Sequence, residues 1–166
     1  ISANAQIPTA NLVGHYDFTN GALTENINSS DFTKTGTAST TITDRFGNAN
    51  EAISLNGDDL ARPDINFNTT NSNPYLARTL SFWIKTTTND ANTRIIYNDN
   101  DKTSTSDLNF DGLSVYLQNG QISAGLRDHQ YLGNYITHTA NVSDNAWHHI
   151  TINASTSSLS GTQRII

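Results

Sequence analysis

Apolar residues along this chain fall in short blocks that alternate with polar positions, and turn-forming residues separate the blocks. The clearest block is Thr79–Thr86. Successive side chains of a strand face opposite ways, so Leu80, Phe82 and Ile84 share one face while Ser81, Trp83 and Lys85 share the other. The strongest turn is Asn119-Gly120, because a two-residue type I′ hairpin needs positive φ at both positions. It joins Leu113–Gln118 to Gln121–Leu126, where Leu113, Val115 and Leu117 are answered by Ile122, Ala124 and Leu126. The same pattern predicts strands at Leu12–Phe18, Ala52–Leu55, Arg94–Tyr97, Tyr135–His138 and Trp147–Asn153. Turns fall at Asn20-Gly21, Asp44–Asn48 and Asn56–Asp59, and residues 21–41 are polar, Thr-rich and only weakly strand-like. No segment keeps a 3.6-residue period over three turns, and no repeat or linker divides the chain. About ten short strands with turns every 8–15 residues predict an all-β sandwich or jelly roll.

Composition supports this and excludes other classes. The 166 residues include 22 Asn, 23 Thr and 16 Ser. Asn, Ser and Asp compete with the helix backbone and Thr is stiff at χ1, so a helical bundle is excluded. Charged residues are 14% of the chain and the net charge is −6. Phosphate neutralisation needs clustered Lys and Arg, so a nucleic-acid partner is not expected. No stretch approaches 18 apolar residues, so insertion of an apolar helix into a membrane is not expected either. With no Cys, disulfides, thiolate nucleophiles and Cys-ligated zinc are ruled out.

The ends carry expectations of their own. Ala3-Asn4-Ala5 has the small-x-small spacing that signal peptidase accepts, so residues 1–5 read as a signal-peptide remnant and 6–166 as the mature domain. Export without Cys suits a bacterial envelope. Gln163–Ile166 reads as the opening of a strand with no closing turn after it, so the domain is expected to be C-terminally incomplete, with its last strands missing.

Three blocks in order point to a family. Asp44-Arg45-Phe46-Gly47-Asn48-Ala49-Asn50 runs into Ala52-Ile53-Ser54-Leu55-Asn56-Gly57; Leu80-Ser81-Phe82-Trp83-Ile84-Lys85 follows; Trp147-His148-His149-Ile150 comes last. Together they resemble the concanavalin-A-like, laminin-G-like jelly roll of bacterial secreted and surface proteins, with Leu12–Phe18 matching its opening strand. The resemblance implies two antiparallel sheets packed face to face. It also implies further strands beyond the Trp-His-His strand, which downstream domains or a partner chain would supply.

Candidate sites follow. Asp107-Leu108-Asn109-Phe110-Asp111-Gly112, with Gln118 at the twelfth position, approaches the calcium-loop pattern in which alternate oxygens converge on a hard cation. Gln118 replaces the usual bidentate Glu. Asp58 and Asp59 form a second calcium candidate, since many relatives bind calcium at a sandwich rim; Asp residues in turns also cap their own backbone. Asn98–Asp101 is a third acidic loop that reads as a solvated turn. The metal candidates are thus Asp58, Asp59, Asp107, Asn109 and Asp111, and the cofactor expectation is Ca2+.

Sugar binding needs aromatic faces beside hydrogen-bonding side chains. Tyr97, Tyr116, Tyr131 and Tyr135 with Arg127, Asp128 and Asn134 could supply both, and the ligand candidates chosen are Tyr97, Arg127, Asp128, Tyr131 and Asn134. His148 and His149 are strand neighbours facing opposite sides, so they cannot chelate one ion and read as strand-packing residues. Catalysis has little support. Glu25 and Glu51 stand alone, outside the paired-carboxylate runs that glycosidases of this fold use, and no G-x-S-x-G or H-E-x-x-H occurs.

The expected function is a non-catalytic binding module, secreted or at the cell surface. It would bind glycan or mediate adhesion to a cell-surface protein, with calcium assisting. The alternatives are a structural or protein-interaction domain of a multidomain adhesin or assembly, and a glycan-active enzyme.

Overall fold

The computed structural model describes residues 10, 12–27, 29–61, 78–97, 110–128, 135–154 and 163–165. Two compact units divide the chain, residues 1–65 and 66–166. Within the described residues the chain is all-β and every strand pairing is antiparallel.

The first unit holds four three-residue strands. β1 (Thr33–Thr35) pairs with β4 (Asp59–Ala61), and β2 (Thr40–Ile42) pairs with β3 (Ala52–Ser54). Leu12–Phe18 is a correction to the sequence reading, because it joins no ladder. Its backbone is spent locally. The His15 N–H donates to Glu25 Oε1 at 2.8 Å, the His15 carbonyl accepts from the Asn26 N–H, and Phe18 turns to φ +58°. Glu25 is buried and its Oε1 also accepts the Ile27 N–H, so one carboxylate closes the loop where a strand partner would have. Tyr16, Phe18 and Phe32 cluster beside it, with the Tyr16 and Phe32 rings 4.0 Å apart.

The second unit contains two sheets. One has the order β11–β10–β5, from β5 (Arg78–Ile84), β10 (His148–Ala154) and β11 (Gln163–Ile165). The other has the order β6–β7–β8–β9, from β6 (Thr93–Tyr97), β7 (Phe110–Gln118), β8 (Gln121–Asp128) and β9 (Tyr135–Asn141). The core lies between them. Val115, Leu117, Ile122 and Ala124 of β7 and β8 meet Ile150 and Ile152 of β10, with Val142 beside them; Leu80, Phe82 and Ile84 of β5 and Ile95 and Ile96 of β6 pack against this cluster. The expected alternation in β5 and in the β7–β8 hairpin is therefore what buries the core. Asn119 and Gly120 sit at φ +51° and +79°, the two positive values that a type I′ turn requires.

Two irregularities adjust this second sheet. In β6 the register shifts between Arg94, opposite Tyr116, and Ile96, opposite Val115. Ile95 is the extra residue of a bulge, so Ile95 and Ile96 can both pack on the core while Arg94 stays in register with Tyr116. At the other end of β7 the register shifts between Phe110 and Gly112, which makes Asp111 the extra residue there.

Candidate functional site

The core fixes what remains on the other face of the β6–β9 sheet. Because Val115, Leu117, Ile122 and Ala124 point inward, Tyr116, Gln118 and Ser123 are directed away from the core. The register then lines up one residue from each strand: Arg94 opposite Tyr116, Tyr116 opposite Ser123, Ser123 opposite Thr137. Strands lie about 4.8 Å apart, so this row crosses about 14 Å of sheet. An open groove of about 500 Å³ runs here, lined by Asn92, Arg94, Tyr116, Gln118, Ser123 and Tyr135.

The groove combines ring faces with hydrogen-bonding groups. Tyr116 and Tyr135 meet edge to face, with centroids 5.5 Å apart and planes at 75°, a favoured aromatic geometry that holds both rings as walls. Tyr135 is 38% exposed. Ser123 is buried beneath them and its hydroxyl accepts from Thr137 Oγ1 at 3.0 Å. Asn92, Arg94 and Gln118 are exposed at the margins. Among the described residues the lining thus offers two phenols, two amides, a hydroxyl and a guanidinium.

The turn at one end of this sheet is tied down by its neighbours. The Asn119 N–H donates to the Asp90 carbonyl and the Val142 N–H to the Gly120 carbonyl. A Cβ at position 120 would meet Asn89 Oδ1 at 2.8 Å and Asn141 Oδ1 at 2.9 Å. The Ser143 hydroxyl donates to the Thr88 carbonyl, so the segment leading to Asn92 is anchored on both sides.

The ligand candidates read from the sequence land differently. Tyr97 closes β6, in register with Ser114. Arg127 and Asp128 lie at the end of β8 remote from the turn, opposite Gly112 and Phe110. Tyr131 and Asn134 lie outside the described residues. Of the wider aromatic set, Tyr116 and Tyr135 come together in the groove. Asn92, Arg94, Gln118 and Ser123 went unrecognised. The Asn-Gly turn already paired Tyr116 with Ser123; Arg94 joins them only through a bulged ladder.

Where they are described, the acidic calcium candidates have partners within the protein. Asp58 accepts the Ser39 N–H at 2.6 Å, and a Cβ at Gly36 would collide with its carboxylate. The carboxylate therefore clasps the β1–β2 turn. The Ser39 N–H is the main cause of its lowered pKa, against an opposing effect of desolvation. Asp59 is a ladder residue opposite Thr35. Asp107 and Asn109 lie outside the described residues. The second half of the twelve-residue pattern is β7: Asp111 begins an extended run, and Gln118 lies about 23 Å further along at about 3.3 Å per residue, so these two do not converge on one ion. No three His, Asp or Glu among the described residues form a group that could hold a metal.

His148 and His149 act separately, as their alternation predicts. His148 Nε2 donates to Asp144 Oδ1 at 2.8 Å, the leading cause of the lowered Asp144 pKa. His149 stacks on Trp83, with centroids 4.9 Å apart, and hydrogen-bonds Ser81 Oγ at 2.7 Å.

A family model described as the concanavalin A-like lectin/glucanases superfamily matches residues 54–165. That span runs from the end of β3 to β11 and contains every groove residue. No curated protein and no solved structure matches the chain.

Proposed function

The chain belongs to the concanavalin A-like lectin/glucanases superfamily, whose domains are commonly binding modules, and from that membership we propose that it binds a glycan in the groove across β6–β9 without catalysing its cleavage. One observation carries this reading: two tyrosine rings fixed edge to face in a groove otherwise lined by amides, a hydroxyl and a guanidinium. A sugar ring has an apolar face and a polar rim, and such a lining answers both. The row from Arg94 to Thr137 favours a linear chain lying across the strands. Domains of this kind are typically extracellular, and we place the protein outside the cell or on its surface.

The test is a glycan array followed by calorimetry on the binders, with and without a calcium chelator. Binding should fall at least about tenfold in Tyr116→Ala and Tyr135→Ala, as loss of an aromatic contact implies. An array without binders in either condition overturns the reading. Loss of binding in chelator alone would establish calcium assistance. Polysaccharide hydrolysis abolished by substituting an Asp pair would replace the module with an enzyme.

A second reading, a protein-interaction domain of a surface assembly, is favoured by Trp83, 43% exposed on the outward face of β5. Capture of a purified surface protein that fails with Trp83→Ala but survives Tyr135→Ala would select it.

A further inference from the structure

Resting on the groove reading, we propose that the groove selects acidic glycans, with the carboxylate of a uronic-acid-type ring seated on Arg94. Among the six described residues that line the groove, Arg94 is the charged one. None of the described lining residues is a carboxylate, and the flanking Asn92 and Gln118 amides are neutral donors. The whole chain carries a net charge of −6, so diffuse attraction would draw cations, and any preference for an anion has to be local.

The geometry suits a carboxylate attached to a sugar ring. Arg94 is in register with Tyr116 on the next strand, so a ring resting against the tyrosines would turn its edge toward the guanidinium. A uronic acid carries its carboxylate on that edge. The guanidinium is a planar fork that matches a carboxylate with two parallel hydrogen bonds. Arg94 has another interaction within the protein; with five N–H donors the group can keep that contact and still bind a ligand. The Ile95 bulge contributes, because it lets two successive isoleucines pack on the core while Arg94 remains opposite Tyr116.

The test titrates the whole chain, by calorimetry, with trigalacturonic acid and with its neutral methyl ester. Arg94→Gln removes the charge, and Arg94→Lys keeps the charge but not the fork. The acid should bind about tenfold or more tightly than the ester to the wild type, as a charged hydrogen bond implies. Arg94→Gln should erase that preference, bringing acid and ester to equal affinity, and Arg94→Lys should fall between. Equal binding of acid and ester overturns the acidic preference and leaves the glycan reading standing. So does binding of neutral array glycans with no binding of either probe. An acid preference that survives Arg94→Gln overturns the assignment to Arg94. A tighter fit to a sulfated than to a carboxylated trimer overturns the carboxylate assignment. No binding of these probes or of any array glycan overturns both proposals.

Discussion

Leu117 and Gln118 are consecutive residues of β7 with opposite duties, and exchanging each for Ala separates them. Leu117 is 2% exposed, in register with Thr93 and Ile122. Leu117→Ala deletes three carbons, which at about 0.8 kcal/mol per buried CH2 is about 2.4 kcal/mol of lost transfer energy. The cavity left between two sheets raises the total to about 3–5 kcal/mol. For a unit of about a hundred residues, the melting temperature should then fall by about 12 °C or more. Gln118 is exposed, and its one described contact is a 3.5 Å hydrogen bond accepted from Thr137, so Gln118→Ala should change stability by less than about 0.5 kcal/mol. Urea unfolding followed by tryptophan fluorescence reads this cleanly, since Trp83 and Trp147 both belong to the second unit. Binding should reverse the order, with Leu117→Ala unaffected below its own melting transition and Gln118→Ala weakened. If Gln118→Ala destabilises as much as Leu117→Ala, the facing of β7 is wrong, because a one-residue slip exchanges the two faces.

Three further expectations follow from the same structure. Ser114 is fully buried and its hydroxyl has no hydrogen-bond partner among the described residues; Ser114→Ala should raise stability by about 1 kcal/mol, and a fall in the urea midpoint would show that the hydroxyl is satisfied. Gly120→Ala places a side chain at φ +79° and should cost about 1–2 kcal/mol; an unchanged midpoint would refute the type I′ turn. Asp58 and Asp144 have pKa values below the ordinary 3.8, through the Ser39 N–H and the His148 ring respectively. Their contribution is complete above that value and lost as pH falls through the lower folded-state value. Melting temperature should therefore hold from about pH 7 to 5 and drop below about pH 4, less steeply in Asp58→Asn; a drop centred near pH 6 would point to other groups.

Much of the second unit is legible in the sequence. The β7–β8 hairpin follows from Asn119-Gly120 and the alternation around it, and β5 from Leu80, Phe82 and Ile84, because both signals are local. Leu12–Phe18 carries the same alternation but has no partner strand among the described residues; the buried Glu25 takes up its His15 N–H, and a lone glutamate ten residues away gives no such indication. The groove was only half legible. Tyr116 and Tyr135 both belong to the aromatic set read from the sequence, yet their meeting depends on how β9 pairs with β8, which sets Tyr135 opposite Gly125. Arg94 reaches Tyr116 through a register that shifts beside it, which alternation alone does not show. The twelve-residue calcium spacing assumes a loop, whereas residues 110–118 of that stretch are extended.

The two-sided construction of β7 and β8 also bears on how such a domain can diversify. Positions 115, 117, 122 and 124 hold the sheets together, while 116 and 118, with 94 on the neighbouring β6, line the groove on the opposite face of the same sheet. Substitutions in the second set leave the first untouched, so a lineage can drift from one ligand to another without passing through unfolded intermediates. A library randomised at Asn92, Arg94, Tyr116, Gln118 and Tyr135 would sample that drift on a scaffold whose folding information lies elsewhere.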